Sequence, residues 1–192
     1  MHSTRLIQGT VILFLWSSLA FAQPYRDNLP IPSLEINRNL LSYAQAKNFE
    51  KISRTLPVVK SLTDTLKTKF GSDVESELQS ALGSQDQGRV LKAVQHLVYL
   101  DLKDLMNLSV EMMGESTDKA KAKIRAAFLN YYLLSPFIQA VNFTADQRIK
   151  KNFRTVTLTL DASVMVAGSE GTIKRLIDEI DKEIVTPLAF SK

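Results

Sequence analysis

Any chemistry this chain performs on a side-chain imidazole has to start from His96. It is the sole histidine once the export signal described below, which carries His2, is removed. An imidazole can serve as a general base or ligate iron. A haem here would be noncovalent and b-type, because there is no cysteine for a thioether bond. Met106, Met112, Met113 or Met165 would supply the second axial ligand. The competing reading is plainer: a boundary histidine with one hydrogen bond, on a polar helix edge shared with Tyr99, Lys103 and Asn107. That plainer reading is preferred. No second histidine backs a catalytic pair or a zinc site.

Asp101, Asp104 and Glu111 share one stripe at helical spacing. Carboxylates so placed can hold a hard cation, and Asp101 and Asp104, one turn apart, can converge. A ferritin-like two-metal site needs Glu-x-x-His pairs on two helices, and the chain has none. Pairing of Asp101 with a lysine of a neighbouring helix is the alternative. No metal is expected. An enzyme built on these carboxylates is the least favoured functional reading.

Five aromatic residues, Phe128, Tyr131, Tyr132, Phe137 and Phe143, surround Pro136 within 16 residues. A proline kink opens space between helices, and aromatics can line an apolar pocket there. Ordinary core packing is preferred. Phe128, Tyr131, Tyr132 and Phe137, with His96, are nevertheless the candidate ligand-binding residues. No residue is assigned a catalytic role and no cofactor is expected.

Two cationic groups, Lys119, Lys121, Lys123 and Arg125, then Arg148, Lys150, Lys151 and Arg154, open successive helices. In an antiparallel pair they fall at opposite ends, more than roughly 30 Å apart. They make no single stripe for nucleic acid, so no nucleic-acid partner is expected. No P-loop, GxGxxG, GxSxG or HExxH sequence occurs.

The elements that must position these residues are helical. Asp86 to Met113 has the longest unbroken pattern. Val90, Val94, Leu97, Leu105, Leu108 and Met112 form one apolar stripe, and Leu91, Val98, Leu102 and Leu105 form a second beside it. Two adjacent stripes suit a helix packed against several neighbours. It would be roughly 40 Å long at the standard rise.

Around it the spacing predicts helices over about 34–46, 48–70, 72–82, 117–141, 144–158 and 172–185. Pro57 and Pro136 fall inside two of them and should kink or divide them. Ser72 to Glu75 and Thr144 to Gln147 read as capping boxes. Pro187 should stop the last helix. Thr155 to Leu160 alternates as a strand would, but one strand has nothing to pair with, so helix is preferred. The expectation is an all-α, single-domain antiparallel bundle of six to seven helices, two of them with proline kinks.

The first 22 residues read as a cleaved secretory signal: a weak polar start with Arg5, an apolar run from Val11 to Leu19, then Ala20-Phe21-Ala22. The run is short for a spanning helix, which needs about 20 residues. Residues 23–33, with three of the six prolines, read as an extended leader. Taking 22 from 192 residues leaves 170, enough for one sizeable core in the remaining domain, 34–192. The formal charge of +4 falls to +3 with the loss of Arg5 and commits the chain to no polyanion.

A cysteine-free exported bundle fits a bacterial periplasm better than a secreted eukaryotic setting, where small domains rely on disulfides. The functional expectation is an exported, non-enzymatic binding or accessory protein that engages a protein partner. The alternative is a periplasmic carrier of a small apolar ligand or b-type haem.

Overall fold

The computed structural model describes residues 32–161 and 168–189. The expected signal sequence, the leader as far as residue 31, and Met165 lie outside the described residues. Seven α-helices follow one another: α1 Pro32–Gln45, α2 Phe49–Phe70, α3 Val74–Ser84, α4 Gln87–Met112, α5 Thr117–Val141, α6 Phe143–Asp161 and α7 Ser169–Leu188. No strand occurs among the described residues. The all-α bundle anticipated from the periodicity is what forms.

Five of the seven helix starts have a local chemical reason. Asn48, Asp73, Asp86 and Ser116 accept a hydrogen bond from the backbone N–H three residues on. Such a cap satisfies one of the donors that a helix start leaves orphaned. Asn142 does the same for α6, accepting from the N–H of Ala145 at 3.0 Å. Two expected capping boxes are therefore corrected. The caps are Asp73 and Asn142, because their side chains reach the first free N–H groups, and not Ser72 and Thr144. At the end of α2, Gly71 takes φ 70°, and its N–H returns to the carbonyl of Lys67. That left-handed cap favours glycine.

Of the two outcomes expected at Pro57 and Pro136, division does not occur, and Pro187 differs from expectation. Helix α2 runs through Pro57, and α5 through Pro136, without dividing. Both prolines sit on exposed faces, where water can serve a freed carbonyl. Pro187 lies within α7 and does not stop it before Leu188. The Thr155 to Leu160 stretch is helical to Asp161. Thr155, Thr157 and Thr159 donate their hydroxyls to carbonyls four residues back, at 3.0, 3.0 and 2.8 Å. Alternating threonines are thereby satisfied inside a helix. Val156 and Leu160 turn inward while Leu158 stays exposed.

Helix α4 is the centre of the bundle. It packs on α1, α2, α3, α5 and α7. Every residue from Ala93 to Leu102 is buried, which is why its apolar face is so wide. Cross-helix bonds fix the directions. Gln87, at the start of α4, meets the carbonyl of Gln45 at the end of α1. Ser109, late in α4, meets the carbonyl of Ala120, early in α5. Lys121 pairs with Asp161 at 3.1 Å, joining the start of α5 to the end of α6. Arg148 grips Glu183 through two bonds of 2.7 and 2.8 Å, joining the start of α6 to the end of α7. These neighbours therefore run antiparallel, as short connections require.

Among the described residues, no helix is long and apolar enough to cross a membrane.

Candidate functional site

His96 lies on the edge of α4 that faces α3 and is 8% exposed. Its Nδ1 lies 2.7 Å from the Glu77 carboxylate, and its ring stacks on Tyr99 with centroids 6.4 Å apart. This is the boundary histidine with a hydrogen-bonded partner. A haem ligated by His96 would need a methionine across the same iron. Met106 is ten residues further along the same helix, about 15 Å along its axis, and Met112 and Met113 are further still. None of these three methionines can complete that pair.

The two stripe carboxylates do not converge. Asp101 is 4% exposed and, among the described residues, pairs with amides and with no lysine. Its Oδ2 accepts from the Asn37 amide of α1 at 2.8 Å and from the Asn130 amide of α5 at 2.9 Å. Asn37 also donates to Asn130 Oδ1 at 3.1 Å. The expected lysine pairing is corrected to this buried trio. Burial pushes the Asp101 carboxyl above the usual range, and the bonds from Ser33, Asn37 and Asn130 only partly oppose it. Asp104 turns instead to Lys69 of α2. Among the described residues, no three His, Asp or Glu side chains gather to hold a metal.

The aromatic residues near Pro136 separate into buried and exposed members. Tyr131 is fully buried, and Phe128 stacks over it with centroids 6.3 Å apart. Phe153 of α6 lies 5.0 Å from Phe128 and 5.6 Å from Tyr131. These rings pack against one another across the α5–α6 seam. Phe137 is half-buried against the core, while Tyr132 and Phe143 are 50% and 58% exposed. A polar knot closes the seam. The buried Asp146 carboxylate accepts from the Tyr131 hydroxyl at 2.5 Å, Ser135 at 2.6 Å, Lys150 at 2.8 Å and Gln147 at 3.3 Å. Burial alone would raise this carboxyl. The bonds from Lys150, Ser135 and Tyr131 together outweigh that and hold it below the usual carboxylate range.

These placements make a graded expectation. Tyr132→Ala should change the unfolding free energy by no more than about 1 kcal/mol, because half of the residue is already in water. Urea unfolding followed by circular dichroism measures this.

A concavity among the described residues lies elsewhere. A groove of about 940 Å³ opens where the end of α2 and the start of α3 meet α4 and the last turns of α7. Phe70, Tyr99, Leu100 and Val185 give it an apolar floor, and His96 lines one wall. Tyr99 donates to Asp181 at 2.7 Å, and Lys103 reaches the same carboxylate at 2.9 Å. Lys103 also lies 5.9 Å from the Phe70 ring centroid. Burial, then the Asp181 carboxylate, raises the Tyr99 hydroxyl far above the ordinary phenol range, so it stays a neutral donor.

The wall carboxylates are all engaged: Asp73 by Lys67, Glu77 by His96 and Asp181 by Lys103. Lys92 on α4 and Lys182 on α7 line the same groove, and neither has an ion-pair partner among the described residues. The arrangement can bind. It presents an apolar floor, a fixed hydroxyl and two uncommitted cations.

Of the five residues named from sequence, only His96 lines this groove. The polar edge that Tyr99 and Lys103 share with His96 is the sequence trace of one wall. Asp181, Lys182 and Val185 arrive from the far end of the chain, and nothing in their local sequence marks them. No family model, curated protein or solved structure matches the chain.

Proposed function

We propose that the protein is an exported, non-enzymatic binding module that engages a protein partner through the groove between α4 and α7. The groove itself carries this reading. It is preformed, broad and open, with an apolar floor inside a polar rim, the composition of a recognition surface. Most of the groups that line it with titratable side chains are occupied in tying helices together. His96 is committed to Glu77, and Asp181 to Tyr99 and Lys103. The export signal expected over residues 1–22 supports, as part of this proposal, an encounter outside the cytoplasm, in a bacterial periplasm rather than a secreted eukaryotic setting.

Site-specific photo-crosslinking in the source cells tests the reading. A photoreactive residue replacing Lys92 or Lys182 should give one discrete adduct with another protein. The same residue at Arg54 of α2, whose side chain is 77% exposed, should give none. Adducts of equal yield from all three positions, or none from the groove, would reject it.

A further inference from the structure

We propose that the groove takes an acidic, amphipathic segment of its partner protein, with apolar side chains on Phe70 and Val185 and carboxylates on Lys92 and Lys182. This rests on the reading of the groove as a partner-binding site and specifies the chemistry of what enters it.

Charge complementarity carries the inference. Every carboxylate lining the groove is already engaged by another side chain: Asp73 by Lys67, Asp181 by Lys103, and Glu77 by its hydrogen bond with His96. Lys92 and Lys182 stand on different helices, α4 and α7, and have no ion-pair partner among the described residues. The charge left for a ligand is therefore positive, on two walls. Between them the floor is apolar, with Leu100 only 4% exposed beneath it. A wholly apolar ligand would leave two ammonium groups at the rim without partners. A basic segment would be repelled by them, at a cost of several kcal/mol for close like charges.

Size separates a segment from a small molecule. At about 940 Å³ the groove is near the top of the range for small-ligand sites, and such sites enclose most of their ligand. This one is partly open to solvent. A helix laid into a groove by its apolar face, with acids along both edges, matches that shape.

Peptide display against the immobilised full chain tests this without assuming a sequence. The probe is a random library of linear peptides, with the K92E/K182E double variant as the counter-target. Enriched peptides should carry net negative charge with two or more large apolar residues. Their affinity should fall at least about tenfold on the double variant and weaken as salt is raised. Selection of neutral or basic peptides that still compete at the groove would overturn the acidic-segment proposal and leave the groove reading standing. Binders indifferent to the double variant, or no binders at all, would overturn both. Should charge reversal disturb folding by circular dichroism, K92Q/K182Q replaces it, with the same expected direction and a smaller loss.

Discussion

Asp146→Ala is expected to lower the unfolding free energy by roughly 3–5 kcal/mol, as breaking a buried ionic network does. The carboxylate is fully buried and collects four side-chain donors from α5 and α6. Its removal leaves the Tyr131 hydroxyl only its longer bond to the residue 146 backbone carbonyl at 3.3 Å, takes the carboxylate acceptor from Ser135, and strands the Lys150 ammonium at the seam. Tyr131→Phe removes only one of these donors and should cost about 1 kcal/mol.

The pH dependence follows from the direction of the shift. A carboxyl held below its unfolded value of 3.8 contributes stability that is present above that value. The contribution is lost as pH falls through the lower folded pKa. Parent and Asp146→Ala should therefore differ most above pH 4 and converge in acid. Urea unfolding at a series of pH values measures both effects.

Asp101→Leu is the second large effect, a loss of roughly 2–5 kcal/mol. Two buried amides, Asn37 and Asn130, lose their shared acceptor, at about 1–3 kcal/mol each. Asp101→Asn behaves differently. It keeps an oxygen acceptor and removes a charge that burial disfavours, so at neutral pH it should lie within about 1 kcal/mol of the parent.

Here the sign of the pH effect is reversed. The Asp101 carboxyl is raised in the folded state. Its contribution is fully present below the unfolded value of 3.8 and lost as pH rises through the folded pKa. The parent should gain stability relative to Asp101→Asn as pH falls through that window, while Asp146→Ala shows the opposite trend. The same unfolding series distinguishes the two carboxylates. Parallel pH profiles for the two variants would contradict the assignment of one as burial-dominated and the other as donor-dominated.

How far the chain can be read without coordinates is visible at particular residues. The stripes of α4 were legible because Val90, Val94 and Leu97 obey a 3.6-residue period that no other element competes for. Pro57 and Pro136 were legible as positions inside helices. That the helices run on through them depends on which face meets water, and sequence period alone does not fix that. Asn37 carries a usable signal. It lies on the inward stripe of Leu34, Leu41 and Ala44, where an amide must have a buried partner. Asn130 falls between Ala127 and Leu134 on the same grounds.

Asp101 was recognisable as the polar interruption of a core stripe, but its partner was not. Periodicity gives the face of one helix and says nothing of which helix lies opposite. The groove was the least legible feature. Phe70, Tyr99 and Val185 are far apart in the chain and meet only because α4 packs on both α2 and α7. The aromatic residues near Pro136, conspicuous by composition, divide into packed and exposed members because α6 supplies Phe153 and Asp146 to only one side of them.

The most direct measurement is lysine footprinting by mass spectrometry, with and without the partner identified by crosslinking. Acetylation of Lys92 and Lys182 should fall several-fold on partner addition, while Lys119, Lys151 and Lys174 keep their reactivity. Protection of Lys119 and Lys151 with Lys92 and Lys182 unchanged would put the partner on the outer faces of α5 and α6 and contradict the groove as the binding site.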